Sequence, residues 1–353
     1  MDHPGVGSLK IAQILPEFNE GGVERHVLWL SNELAAMGHK VTLITSGGKL
    51  EDKLDPGVNL WKLPVHRKNP VTGFYSAFNI AARAKRENWD ILHAHSRVPV
   101  WIAWWASSMS GIPWVFTAHA RYSQNLGLNP FPRANGAICV SKAVEEHLRS
   151  SLPLNRVVIP NGLPPVESKW ERRRGLVKRL LFVGRLTRVK GLDVLLAALG
   201  GLKGQEWELD VVGDGPQRAE FETLSEHLGL SDRVRFHGFR DNPQDWMVES
   251  DLLVFPSRDE GMPLVLMQAI QVGLPVIASD IEPVRELAFE GADLPLSGDV
   301  GSWKKALTKV FNEGIPEVLF VPEKIPGVKE MSDKVSSFYS WIIERAIRED
   351  DAG

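Results

Sequence analysis

Short apolar runs alternate with longer amphipathic stretches along most of the chain. Residues 9–15 are an apolar run, 17–22 a glycine-bearing loop, and 23–37 repeat apolar positions at helical spacing up to Gly38, where a C-terminal cap belongs. Strand-like runs recur at 40–45, 90–94, 114–117 and 136–140, with helical patterns at 75–87, 100–110 and 141–151 between them. Such Val/Ile/Leu-rich runs, read as buried on both faces and alternating with helices, predict a doubly wound parallel sheet. The alternation breaks at 160–178, where Pro160, Asn161, Gly162, Pro164 and Pro165 are followed by a charged stretch at 169–174. That composition suits an interdomain linker. Alternation then restarts, with strands at 179–183, 208–212, 233–237, 252–255 and 275–278 and helices at 192–199, 217–228 and 263–272.

The expected organisation is an amino-terminal Rossmann-like domain over 1–163, a linker over 164–178, a second Rossmann-like domain over 179–330 and a terminal helix over 331–353. Two such α/β domains predict a cleft between the carboxyl ends of their sheets, where ligands bind. The terminal helix puts Val335, Phe338, Ile342 and Ala346 on one face. Two placements stay open for it: completing the second domain, or crossing back to the first.

Composition narrows the class. A chain of 353 residues exceeds one ordinary core, and two domains of roughly 150–180 residues are the natural division. With 43% hydrophobic and 24% charged residues it reads as globular rather than disordered. The net charge of −3 offers no basic excess for nucleic acid. Cys139 is the single cysteine, which excludes an intramolecular disulfide and a thiolate metal cluster and fits a reducing compartment. Residues 1–8 hold no apolar signal core, and no run approaches the roughly 20 apolar residues needed to span a bilayer. The expectation is a cytoplasmic enzyme.

Four junctions carry candidate chemistry. In Gly184-Arg185-Leu186-Thr187-Arg188-Val189-Lys190-Gly191 a buried strand ends in glycine, and Arg185 and Lys190 follow five residues apart before a helix. That spacing can bring a guanidinium and an ammonium to one diphosphate, although a solvated basic loop would read the same way. In Asp259-Glu260-Gly261-Met262-Pro263-Leu264, Gly261 permits close backbone approach and Pro263 suits a first helical turn, so free amides there form an anion site. Glu260 stands at its mouth, or else caps the helix. Gly213-Asp214-Gly215-Pro216 and Gly21-Gly22 are two more strand–glycine–helix junctions, weak signals singly. No G-x-G-x-x-G follows the first strand, which counts against a nicotinamide or flavin enzyme.

Taken in order, the motifs are Gly21-Gly22-Val23-Glu24-Arg25-His26, Thr117-Ala118-His119, Ile159-Pro160-Asn161-Gly162, Gly184-Arg185 with Lys190-Gly191, Gly213-Asp214-Gly215-Pro216, Val234-Arg235-Phe236-His237-Gly238 and Pro256-Ser257 with Glu260-Gly261-Met262-Pro263. In this order the chain resembles glycosyltransferase family four over residues 10–299, whose members have the GT-B fold of two Rossmann-like domains facing across a cleft. The resemblance implies a retaining, metal-independent transfer of a hexose-type sugar from a nucleotide diphosphate, with no cofactor. Arg185 and Lys190 would bind the diphosphate. Glu260 and the backbone of Gly261, Met262, Pro263 and Leu264 would contact the sugar. Gly21 and Gly22 would admit the phosphates, Gly215 would also bind the donor, and Phe236 and Gly238 would hold the base. His119 would face the transferred sugar. Arg185→Ala and Lys190→Ala are expected to abolish most transfer with thermal unfolding nearly unchanged.

One position departs from the family, which has a second glutamate where this chain has Gln268; an amide can still accept one hydrogen bond and donate another. The resemblance further implies a UDP-sugar donor ahead of GDP-mannose and a glycan or lipid-linked acceptor contacting loops such as 120–132. It points to polysaccharide or lipopolysaccharide synthesis. A nucleotide-sugar epimerase of the same fold and a non-catalytic sugar-nucleotide-binding subunit are the alternatives. His93 and His95, two apart on one strand, could ligate a metal, but no third ligand is evident and a structural role is favoured. His95 can also border the cleft. Trp101, Trp104 and Trp105 read as a core or domain-interface stripe. Arg67, Lys68, Arg83, Lys85 and Arg86 read as a solvated face, with contact to anionic lipid as the functional alternative.

Overall fold

The computed structural model describes residues 7–171, 178–314 and 319–351. The charged centre of the expected linker, 172–177, and the polar residues 1–6 lie outside that set. The chain divides into two compact units, Met1–Pro164 with Pro326–Gly353, and Pro165–Ile325.

The first unit opens with β1 (Lys10–Ile14), α1 (Gly22–Ala36), β2 (Lys40–Thr45) and β3 (Asn59–Lys62). It continues through α2 (Pro70–Glu87), β4 (Ile91–His95), α3 (Arg97–Ser110), β5 (Trp114–Ala118), β6 (Gly136–Cys139), α4 (Lys142–Leu148) and β7 (Arg156–Val158). The second unit holds β8 (Arg179–Val183), α5 (Leu192–Gly200), β9 (Glu208–Val212), α6 (Arg218–His227) and β10 (Val234–Gly238). It ends with α7 (Pro243–Glu249), β11 (Leu252–Phe255), α8 (Leu264–Val272), β12 (Val276–Ala278), α9 (Glu282–Arg285) and α10 (Val300–Glu313). The last helix, α11 (Val328–Asp351), belongs to the first unit.

Both sheets are parallel, ordered β3-β2-β1-β4-β5-β6-β7 and β10-β9-β8-β11-β12. In each the strand order reverses at the middle, between β1 and β4 and between β8 and β11. Open α/β sheets bind ligands outside the carboxyl ends of the strands at such a reversal. The strands there are apolar because helices cover both faces: Ile11, Ala12, Ile14, Ile91, Leu92, Leu180, Leu181, Leu252 and Leu253 are all buried.

Strands β3 and β7 escape the periodicity reading. Both are edge strands with half-exposed residues, so neither shows an apolar run. The buried face of α11 also differs from expectation: Met331, Val335, Tyr339 and Ile342 enter the first unit's core, Phe338 only flanks it, and Ala346 is half-exposed. The tryptophans of α3 are likewise only half-buried; Val100, Ile102, Ala103 and Ala106 fill the core instead. Trp101 meets both Trp104 and Trp105, and Trp105 meets Phe74 of α2.

Candidate active site

In the second unit glycines let three loops stack beyond the strand ends. A Cβ on Gly213 would fall 1.9 Å from the Gly184 carbonyl oxygen, and one on Gly215 2.5 Å from that of Leu186. Gly191, with φ +71 ahead of α5, approaches Pro256 so closely that a Cβ would lie 1.9 Å from its carbonyl oxygen. These approaches clamp the loop carrying Arg185 and Lys190 between the loops after β9 and β11.

The clamp has a polar lock absent from the sequence reading. Arg258 reaches Asp193 through two hydrogen bonds of 2.7 Å, and its amide donates to the Val189 carbonyl at 2.7 Å. Burial alone would raise the Asp193 carboxyl, but the Arg258 fork outweighs it and holds the group below the usual carboxylate range. Arg258 sits inside the Pro256–Glu260 motif gap, the one local signal that could have drawn notice.

Lys190 Nζ stands 2.6 Å from Glu260 Oε1, with the carboxylate side chain only 9% exposed and that of Lys190 27%. Glu260 therefore pairs with the lysine rather than capping α8, whose N-cap, Pro263, has no side-chain cap. The exposed Arg185 side chain forms no ion pair among the described residues. The anion site at α8 is narrower than expected: the Leu264 amide is taken by the Met262 carbonyl, and Gly261, Met262 and Pro263 are buried. Gln268 is buried on the same helix. Gly238 ends β10 at φ +71, and its carbonyl accepts from Gly213 at 2.8 Å. Phe236 packs partly on the core, leaving its backbone as the feature that can meet a ligand.

In the first unit α1 begins at an uncapped, extended Gly21 beside Gly22, and the Glu24 carboxylate lies where a Gly21 Cβ would stand. Beyond the β4 and β5 ends lie three imidazoles, His26 from α1, His95 and His119, whose ligand nitrogens fall within 4.8 Å of one another. His26 meets His119 edge-on at 4.8 Å between centroids. Although His26 lies against Asn161, neither ring nitrogen is hydrogen-bonded, and Asn161 Oδ1 is also unpaired. Burial pushes the His26 pKa down to about 4. It likewise holds His93, His95 and His119 well below 6.5, so all four rings are neutral at pH 7. Ser96, next to His95, has φ +74, a strained backbone of the kind that gathers at functional sites.

The metal reading of His93 and His95 changes accordingly. His93 is engaged by Tyr339 and Thr117, and the rings nearest to completing a ligand set around His95 are His26 and His119. Two of those three rings are hydrogen-bonded to each other, His95 Nδ1 lying 3.0 Å from His119 Nε2, and a transition-metal ion would compete for the same ring nitrogens. His26 belongs to the Gly21–His26 motif, and nothing in that motif signals its partners.

Of the expected basic patch, Arg67, Lys68, Lys85 and Arg86 are exposed. Arg83 instead pairs with Glu87 at 2.8 Å and lies over Trp61.

Comparison with known proteins returns two family patterns: that of "Glycosyltransferase Family 4" matches residues 20–167, and "Glycosyl transferases group 1" matches 177–313. The chain is 28% identical to the phosphatidylinositol N-acetylglucosaminyltransferase gpi3 subunit of Schizosaccharomyces pombe, over 91% of this chain and 75% of the relative. It is 27% identical to the phosphatidyl-myo-inositol mannosyltransferase of Mycobacterium leprae, over 92% and 90%. The structure of Anabaena HepE in complex with UDP and glucose superposes with a TM-score of 0.73 at 18% identity, covering 98% of this chain and all of the other.

Proposed function

The chain belongs to glycosyltransferase family four and has its GT-B fold, and from that premise we propose that it is a retaining, metal-independent hexosyltransferase using a nucleotide-diphosphate sugar. The observation that carries this reading is the clamped loop of the second unit. It offers Arg185, without an ion pair among the described residues, and Lys190 held by Glu260, at the strand-order reversal where a diphosphate is expected.

In this reading the sugar–phosphate bond breaks as the acceptor oxygen forms its bond to the same face of the anomeric carbon, and the acceptor proton passes to the leaving phosphate oxygen. Arg185 and Lys190 neutralise the charge that develops, the role a divalent cation plays elsewhere. Glu260 orients the lysine through one oxygen and takes a sugar hydroxyl with the other. Neutral His119 meets another sugar hydroxyl, and the Phe236–Gly238 backbone holds the base. Gln268 takes over a hydrogen bond that the family gives to glutamate. UDP-sugars are the favoured donors, with GDP-mannose the next to try; the named complex of HepE with UDP supports that order. The relatives named above are transferases, which leaves the epimerase alternative without support.

The acceptor is a glycan or a lipid-linked one. A hollow of about 580 Å³, lined by Asn125, Asn129, Arg133, Ser150 and Ser151 among others, offers polar groups to a polyhydroxylated molecule. The lipid-linked branch gains support from α2. There Val71, Phe74, Tyr75 and Phe78, at i, i+3, i+4 and i+7, are each more than half exposed. The basic residues Arg67 and Lys68 precede this apolar face, and Lys85 and Arg86 follow it. An apolar helical face flanked by cations suits the interface of an anionic bilayer, and the two relatives are named for phosphatidylinositol. No described helix is long and apolar enough to cross a membrane, so the contact proposed is peripheral, at the cytoplasmic face.

Turnover of UDP-sugars and GDP-mannose, with and without chelator, tests the proposal. Activity with one donor, changed less than about twofold by EDTA, is expected. Complete loss with EDTA contradicts the metal-free mechanism, and epimerised donor formed without acceptor contradicts transfer.

A further inference from the structure

An unbroken line of hydrogen bonds runs through the core of the first unit and ends on His119. His119 Nε2 lies 3.0 Å from His95 Nδ1, and His95 Nε2 lies 2.5 Å from Gln13 Oε1. Gln13 Nε2 donates to the Tyr339 hydroxyl at 3.2 Å; that hydroxyl lies 2.5 Å from His93 Nδ1, and His93 Nε2 lies 2.7 Å from Thr117 Oγ1. Gln13, His93, His95 and Tyr339 are wholly buried and Thr117 is 1% exposed, so water does not compete for these groups. Burial also keeps the three rings neutral and the Tyr339 hydroxyl protonated.

Neutrality makes the line directional. A neutral imidazole has one N–H and one lone pair, and a carboxamide has one donor end and one acceptor end. With the Gln13 carbonyl toward His95, His95 Nε2 must carry the proton and Nδ1 must accept. His119 Nε2 then donates, which leaves the lone pair on His119 Nδ1. On the other side the Tyr339 hydroxyl accepts from Gln13 and gives its proton to His93 Nδ1, and His93 Nε2–H donates to Thr117. Turning over the Gln13 amide would reverse His95 and His119 together, because each neutral ring has a single proton to place, whereas Tyr339, with its proton given to His93, offers Gln13 only lone pairs. The Gln13 amide is the pivot, and Tyr339 is the group against which its donor end is set.

We propose that Tyr339, acting through Gln13 and His95, is a positioning residue that fixes the tautomer of His119 and so presents Nδ1 as an acceptor for a hydroxyl of the transferred sugar. The last clause rests on the reading of His119 given above; the tautomer setting does not. His26 also packs edge-on against the His119 ring. The terminal helix thereby has a part in the site beyond packing: it delivers one hydroxyl to a chain of groups drawn from β1, β4 and β5.

The test is histidine ¹⁵N NMR on the full-length protein, with His119 assigned from its loss in His119→Asn, combined with steady-state kinetics. Wild type is expected to show His119 as a single neutral Nε2–H tautomer. Tyr339→Phe keeps the ring's packing but removes the hydroxyl. It is expected to give mixed His119 tautomers and to lower kcat about tenfold, the scale on which the outer partners of a working histidine act, with donor KM changed less than twofold. Gln13→Met, which cuts the line one member nearer, should do the same with Tyr339 intact. An unchanged His119 spectrum in both folded variants overturns the proposal whatever the activity. A changed spectrum with unchanged kcat supports the tautomer setting and overturns the assignment of His119 to the sugar.

Discussion

The two strand-order reversals of this molecule are equipped in opposite ways. In the second unit the groups beyond β8 and β11 are charged, exposed or paired in ion pairs, and held by backbone contacts between glycine loops. In the first unit the imidazoles at the β4 and β5 ends are neutral, His95 buried and His119 half-buried, and each is held by a hydrogen bond to the other. The difference follows from what each would meet in the proposed reaction. A diphosphate needs permanent positive charge at the surface, where exchanging water for phosphate costs little. A neutral sugar needs donors and acceptors of fixed direction, which burial supplies by excluding water and protons.

Charge removal tests the second unit most sharply. Arg185→Ala should lower kcat/KM by ~10²–10³ with the midpoint of thermal unfolding unchanged, since no partner is stranded. Lys190→Ala should cost as much activity, but here the structure corrects the expectation of unchanged unfolding. It leaves the Glu260 carboxylate 9% exposed and unpaired, a loss of roughly 1–3 kcal/mol, less than for a fully buried pair. Equal melting of the two variants would dissolve the distinction between a free and a paired cation.

Acid should then distinguish the units by where stability is lost. Five histidines of the first unit, His26, His39, His93, His95 and His119, have folded pKa values below the unfolded value of 6.5, so unfolding takes up protons as pH falls. Their contribution is complete above 6.5 and declines through that value toward the folded pKa, about 4 for His26. For His26 alone this amounts to about 3 kcal/mol. Asp193 in the second unit is depressed from 3.8, so its contribution persists until pH falls below that. Thermal melts between pH 7 and 4.5 should show the first unit weakening first; simultaneous loss would contradict the burial of uncharged histidines.

A smaller effect concerns α2. Phe74→Ser with Phe78→Ser should reduce partition onto anionic phospholipid vesicles about tenfold while leaving turnover of a soluble acceptor unchanged. Undiminished binding would remove this helix from the membrane reading.

The same contrast explains what was legible in the sequence. The second unit's site is local: Arg185, Lys190 and Gly191 lie within seven consecutive positions and Glu260 to Leu264 within five, so spacing and glycine chemistry announce it. Arg258 was missed because its partner, Asp193, lies 65 positions away. The first unit's relay joins Gln13 to Tyr339 across 326 positions, and each member alone reads as an ordinary core residue. Apolar central strands were visible by composition, whereas β3 and β7 were not, since an edge strand need not be apolar on both faces.

Calorimetric titration with UDP and with uridine, and in parallel with GDP and guanosine, tests the diphosphate site most directly. The diphosphate should improve Kd for the wild-type protein by at least about tenfold over the nucleoside, and that gain should collapse in Arg185→Ala while the nucleoside's own affinity stays the same. An undiminished gain in that variant would place the phosphates elsewhere on the molecule.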